Sequence, residues 1–227
     1  KEPGAEEKFK EQWITDTRQL LIFLIGGMDM ANRIITINRM YGSNGRLIGK
    51  ALAERLDIPF YDKELITLAS QENDIPLEEL RKVDEKRANQ WHLPIKDAMQ
   101  MEPQYHFQPM NDVLYESQSK IIHDLSEKGD CIIAGRCADQ ILEGKCKSIF
   151  IFAPFEYRVK NIMERIGREE RSARSLVKKM DKRRRSYYEY FTDAKWLDMT
   201  HYDLCIDSSK FSQKHILDML EAVYRDM

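Results

Sequence analysis

Ile34-Ile35-Thr36-Ile37 is followed by Tyr41-Gly42-Ser43-Asn44-Gly45-Arg46 and then by Leu47 through Leu56. The first run is apolar and β-branched, which fits a strand buried on both faces. The second holds two glycines and an Asn, the composition of a tight turn. The third carries its apolar residues at helical spacing. A strand that turns through glycines into a helix aims several free backbone N–H groups at one spot, and the helix dipole adds a positive end there. Phosphate is the natural guest of such a turn. An ordinary glycine-rich strand-to-helix turn has the same composition, so the loop taken alone is open to both readings.

The pattern G-x-x-x-x-G-K-[ST] of nucleotide-binding loops aligns its second glycine with Gly45. Its first glycine then falls on Met40, its lysine on Arg46 and its hydroxyl residue on Leu47. Arg46 keeps the electrostatic role, since a guanidinium fork pairs two phosphate oxygens at once. Leu47 offers magnesium no hydroxyl, so a metal here is expected to be held mainly by nucleotide and water, with no metal ligands in the protein.

Working outward, strand-like and helix-like segments alternate. Ile58–Tyr61 reads as a short strand and Lys63–Gln71 and Leu77–Asn89 as helices. Trp91–Pro109 reads as an irregular segment. Its His92 and His106 lack the cysteine or carboxylate partners that metal binding requires. Asp112–Lys128 is a helix with a stripe at Val113, Leu114, Ile121, Ile122 and Leu125. Cys131–Ala134, Ser148–Phe152 and Asp203–Ile206 are strands; Cys137–Leu142, Phe155–Ile166, Ser172–Tyr190 and Lys214–Tyr224 are helices. Apolar strands separated by helices imply a parallel sheet covered on both faces.

Ligands of such sheets bind beyond the carboxyl ends of the strands. Four strand ends therefore supply the candidates: the Gly42–Arg46 loop, Asp62 with Lys63, Gly135-Arg136 with Asp139 one helical turn on, and Ala153-Pro154 followed by Arg158.

The 227 residues suffice for one α/β domain with a helical insert. A formal net charge of −2 argues against general nucleic-acid binding, yet it hides an uneven distribution. Twelve Lys or Arg face four acids between Arg158 and Arg185, while eight acids face five basic residues from Asp62 to Gln90. Lys182-Arg183-Arg184-Arg185 repels itself unless an anion gathers it, and phosphoryl transfer needs such cationic clusters. The four cysteines show no metal-ligand spacing and fit reduced thiols of a cytoplasmic protein. The longest apolar run, Leu20–Ile25, is too short to span a bilayer, and no membrane partner is expected. Residues 1–30 read as a helical extension, with a stripe of Phe9, Trp13, Leu20 and Leu24 ended by Gly26-Gly27, or as a non-native leader. As an arm, this segment could pack on the domain or pair with a second copy in a homodimer.

Several runs together resemble cytidylate kinase-like proteins. They are Ile34 to Arg46, Ala51 to Leu56, Pro59-Phe60-Tyr61-Asp62-Lys63-Glu64-Leu65 and Ile132 to Asp139, followed by Ile149 to Pro154, Asp181-Lys182-Arg183-Arg184 and Tyr202-Asp203-Leu204. The resemblance covers about residues 33 to 225. It implies a P-loop NTPase-type three-layer α/β fold for residues 31–227, with a five-stranded parallel sheet, a helical monophosphate-binding insert at about 62–130 and a lid at about 167–200. It further implies ATP, with magnesium, held by Gly42, Ser43, Asn44, Gly45, Arg46 and Leu47. Arg46 and Arg184 would be catalytic, and Asp62, Arg136 and Asp139 would lie near the acceptor. Arg158 joins them as a further cation for the acceptor phosphate. The activity implied is ATP-dependent phosphoryl transfer to a nucleoside monophosphate, CMP or dCMP foremost. A nucleotide-binding regulatory protein without turnover, or a P-loop kinase for a non-nucleotide acceptor, are the alternatives.

Overall fold

Ile34–Arg39 forms β1, and all six of its residues are buried. In the computed structural model, which describes residues 32–73, 75–78, 80 and 110–227, β1 is the centre of the sheet. It pairs in parallel with β3 (Cys131–Ala134) on one side and β4 (Lys147–Phe152) on the other. Flanked on both edges and covered on both faces, such a strand has no polar side to show, which is why its sequence does not alternate.

β2 (Phe60–Tyr61) lies outside β3, and β5 (Leu204–Asp207) lies outside β4, giving the order β2-β3-β1-β4-β5 with every pair parallel. The chain leaves β1 towards β2 and leaves β3 in the opposite direction towards β4. Their carboxyl ends therefore diverge and open a crevice between β1 and β3.

Helices cover both faces. α1 (Gly45–Leu56) and α7 (Gln213–Arg225) pack Ile48, Leu52, Ile216 and Leu220 against Ile35, Ile37, Ile149 and Ile151. On the other face, α2 (Glu64–Asn73) and α3 (Met110–Lys128) pack Leu65, Ala69, Leu114 and Ile122 against Ile34 and Ile133. The short α4 (Ala138–Ile141) joins β3 to β4 and adds Ala138 to that cluster. α5 (Phe155–Ile166) and α6 (Glu170–Thr192) hold each other through Val159, Ile162, Ala173 and Val177.

Two departures from the expected elements bear on the site. β1 runs two residues beyond Ile37, because Asn38 and Arg39 continue the ladder opposite Phe150 and Ile151. This sets both side chains in the sheet rather than in the loop. The helix expected over Ser172–Tyr190 is present as the 23-residue α6, and its last turns enter a core. Tyr187 and Tyr188 pack there with Phe150, Trp196 and Tyr202. A 3-10 turn at Met199–His201, not expected, leads into β5.

The stripe of residues 1–30, most of the helix expected over Leu77–Asn89 and the Trp91–Pro109 segment lie outside the described residues. Among the described residues, no helix is long and apolar enough to cross a membrane.

Candidate active site

After β1 the chain makes its turn in five residues. Gly42 (φ 84°) and Asn44 (φ 63°) both adopt the left-handed conformation, and Asn44 is the N-cap of α1. Gly42 is also needed for space, since a Cβ there would stand 2.7 Å from the Arg158 carbonyl oxygen. At Gly45 a Cβ would stand 2.6 Å from Arg39 Cβ. Buried Ser43 is the loop's internal strut, with its hydroxyl donating to the carbonyls of Met40 (2.9 Å) and Ile151 (3.0 Å). Its amide is spent on Met40 O at 3.3 Å, so Ser43 shapes the loop from inside.

The loop's carbonyls are taken by donors from around it. Tyr41 O accepts from Arg158 Nη1 (3.0 Å), Gly42 O from Asn161 Nδ2 (2.9 Å), Ser43 O from Ser208 Oγ (2.7 Å) and Asn44 O from the Ile48 amide (2.9 Å). The amides behave oppositely. Those of Gly42, Asn44, Gly45, Arg46 and Leu47 find no acceptor among the described residues, and Asn44 makes no side-chain cap. Carbonyls held back and amides left over at a helix start are the arrangement that receives an anion.

Next to this loop the structure brings arginines from the ends of β1 and β3 together with a carboxylate from the end of β2. Asp62, buried just beyond β2, accepts from Arg46 Nε at 2.5 Å and from Arg39 Nη2 at 3.2 Å, and Arg136 Nη1 lies 3.7 Å away. Arg39 and Arg136 are buried with it, whereas the Arg46 side chain is 42% exposed. Arg184 reaches down from α6, donates to Arg39 O at 2.9 Å and stacks over Tyr41. Asp62 thus gathers the guanidinium groups of Arg39, Arg46 and Arg136 beside the free amides.

Arg136 sits in a run of three left-handed residues, Gly135 (φ 77°), Arg136 (φ 58°) and Cys137 (φ 57°). Non-glycine residues held there cost on the order of 1–3 kcal/mol each and persist where the surroundings fix them, commonly at functional sites.

Asp139 and Arg158 have partners of their own. Asp139 accepts from Asn38 Nδ2 (2.8 Å) and Tyr188 Oη (2.6 Å), tying β1, α4 and α6 together. Burial pushes its carboxyl above the usual range, against the pull of those hydrogen bonds, and burial beside Asp139 raises the Tyr188 hydroxyl. Arg158 donates to Ala153 O (2.9 Å), Tyr41 O (3.0 Å) and Asp181 Oδ2 (2.5 Å), while Asp181 Oδ1 accepts from the Tyr41 amide (2.8 Å). Its geometry therefore braces the loop between β1 and α1. Asn38, Arg39, Arg136, Arg184, Tyr187 and Trp196 line a cavity of about 20 Å3, room for one water.

Sequence reasoning did not single out Arg39, Asn161 or Ser208. Arg39 had a signal, a charged residue closing an otherwise uncharged strand; the other two show none. As for magnesium, Leu47 brings no hydroxyl, and among the described residues no group of three or more His, Cys, Asp or Glu is placed to hold a metal ion. The described residues therefore build no resident metal site of their own.

Comparison with known proteins places this geometry. The model of the cytidylate kinase-like family matches residues 34–210. The cytidylate kinase of Methanococcoides burtonii is 27% identical over 191 residues, which cover 83% of this chain and 94% of that protein. An uncharacterised protein of Eubacterium ventriosum, known as a crystal structure, superposes with a TM-score of 0.64 at 29% identity, over 86% of this chain and 99% of its own. Shikimate kinase from Bacteroides thetaiotaomicron shares the fold, with a TM-score of 0.51 at 13% identity over 86% of this chain and 99% of its own. The three-layer α/β architecture is thus the P-loop kinase fold.

Proposed function

Since the chain belongs to the cytidylate kinase-like family, we propose that it is an ATP-dependent kinase that phosphorylates a nucleoside monophosphate, with CMP or dCMP the foremost acceptors. The observation that carries this reading is the convergence of Arg39, Arg46, Arg136 and Arg184 on the crevice between β1 and β3, beside a loop with free amides.

The donor's phosphates lie on the amides of Gly42 and of Asn44 to Leu47. ATP brings its own magnesium. Arg46 and Arg184 neutralise the group in transfer, and Arg136 receives the acceptor's phosphate from the β3 side. Arg158 and Asp139 keep the loop and the α4 turn in place. No general base is required, because an acceptor phosphate oxygen is already a competent nucleophile and the work is positioning and charge neutralisation. The four free cysteines fit a reducing compartment such as the cytoplasm.

The absence of a hydroxyl at Leu47 favours a second reading, a protein that binds nucleotide without turning it over. One experiment separates the two. ADP release from Mg-ATP is measured with CMP, dCMP, UMP, AMP, GMP and TMP, for wild type, Arg46→Ala and Arg184→Ala. Turnover on a cytidine monophosphate, lowered ~100-fold or more by each substitution, supports the kinase. Silence across the panel, with ATP binding intact by calorimetry, sinks the CMP assignment and leaves the binding protein or another acceptor.

A further inference from the structure

Asp62 divides its two oxygens unequally. Oδ2 is given to Arg46 Nε at 2.5 Å, and Oδ1 faces both Arg39 Nη2 at 3.2 Å and Arg136 Nη1 at 3.7 Å. The side chains of Arg39 and Arg136 are 6% and 2% exposed, so they are walled in; that of Arg46 is 42% exposed. Of the three cations, Arg46 is the one free to leave. Its departure breaks the shortest of the three ion pairs of Asp62 and leaves Arg39 and Arg136 beside the carboxylate, so Asp62 holds Arg46 without locking it in place. Yet Arg46 lies in the first turn of α1, beside the free amides where an anion would sit, and its Nε edge is one of the edges a guanidinium offers to a phosphate. Asp62 and a bound phosphate therefore compete for the same group.

We infer that Asp62 is a positioning residue that holds Arg46 off the donor's terminal phosphate until the acceptor arrives, and so restrains ATP hydrolysis in the acceptor's absence. The inference rests on the kinase reading above. With ATP alone, Arg46 stays on Asp62 and the cationic clamp is incomplete. An acceptor phosphate adds its negative charge to that of the donor's phosphates on the loop side of Arg46. The two phosphates together outweigh the single carboxylate, and Arg46 moves onto them, where it is needed. Wasteful transfer to water is thereby kept low without a separate regulatory site.

The test uses the full chain with Mg-ATP and no acceptor. Asp62→Asn is expected to raise acceptor-free ADP release roughly five-fold or more, the lower end of coupling between sites, and to tighten ATP binding. Asp62→Glu is expected to return hydrolysis towards the wild-type rate, and adding Arg46→Ala to Asp62→Asn to abolish the gain. Hydrolysis by Asp62→Asn at or below the wild-type rate overturns the inference. Should Asp62→Asn not fold, the wild type decides. The Arg46 Nε–H resonance, assigned by its loss in Arg46→Lys, is expected to hold its position when Mg-ATP is added alone, and a shift with ATP alone overturns the proposal. Failure of the wild type to bind ATP would remove the kinase reading and this inference together. ATP binding with hydrolysis unmoved by Asp62→Asn removes only the inference.

Discussion

Gly135 lies flat against the guanidinium of Arg39: a Cβ at 135 would come within 2.1 Å of Arg39 Nη1. The turn after β3 and the end of β1 are thus shaped to each other, and the buried pair between Arg39 and Asp62 depends on that fit.

Gly135→Ala is expected to cost about 2 kcal/mol or more, from the left-handed backbone and from displacing Arg39. At this chain length that lowers Tm by roughly 4–8 °C. Gly144 supplies the control, since its φ of 74° is nearly the same as the 77° of Gly135 but nothing lies within 4 Å of its Cβ position. Gly144→Ala isolates the backbone strain, at about 1–2 kcal/mol. Equal losses in the two variants, measured by thermal unfolding, would show that Arg39 is not held as described.

A second pair of glycines separates rigid from yielding contacts inside one helix. A Cβ at Gly49 meets Ile37 Cδ1 at 2.8 Å and Phe60 Cε2 at 2.9 Å, the far ends of two side chains. A Cβ at Gly45 meets Arg39 Cβ at 2.6 Å and Ile151 Cβ at 3.2 Å, which cannot swing away. Both substitutions gain up to about 1 kcal/mol of helix propensity. Gly49→Ala is expected to be near neutral, and Gly45→Ala to lose roughly 1–3 kcal/mol with weakened ATP binding. Chemical denaturation and calorimetry on both variants check the order.

The strand, the glycine turn and the helix were legible because each writes its own local pattern: β-branched residues, then glycines, then apolar residues at helical spacing. The strand order was not, since which strand neighbours which depends on crossovers that leave no local mark. Within the site, Arg46, Arg136 and Arg184 could be named from their places at strand ends and in a self-repelling cluster. Asp62 as the counter-ion shared by Arg39, Arg46 and Arg136 could not, because it is brought to them only when β2 takes its place at the edge of the sheet. Ser43 and Arg158 look like ligands of phosphate in the sequence. Only the packing shows that one is a strut within the loop and the other a brace beneath it.

That brace gives the third prediction. Arg158 and Asp181 form a largely buried pair at 2.5 Å, with side chains 7% and 18% exposed, and each also bonds the backbone of Tyr41. Removing one partner leaves the other charge uncompensated, so Arg158→Met is expected to cost roughly 3–5 kcal/mol. The double variant Arg158→Met/Asp181→Leu is expected to recover part of that loss while ATP binding stays impaired, because Tyr41 has lost both of its anchors. Parallel loss of stability and binding in every variant would contradict a brace that acts on loop shape.

Three carboxylates predict opposite dependences on pH. Asp130 and Asp203 titrate below the usual range: burial raises each, but hydrogen bonds outweigh it, from Tyr224 and Arg33 to Asp130 and from Ser148 and Lys147 to Asp203. Their contribution is present above the unfolded value of about 3.9 and is lost as pH falls through the lower folded value. Asp139 titrates above the usual range because burial dominates, so its contribution is complete below about 3.9 and is lost as pH rises through the folded value. In Tm measured from pH 2 to 7, Asp130→Asn and Asp203→Asn are expected to lie furthest below wild type near neutrality and to approach it in acid. For Asp139→Asn the difference from wild type is expected to run the other way, gaining on wild type as pH rises. Gaps that stay constant with pH would mean that these carboxylates do not titrate differently in the folded and unfolded states. A gap for Asp139→Asn that widens with rising pH, as for the other two, would place Asp139 in an environment wetter than its position between Asn38 and Tyr188.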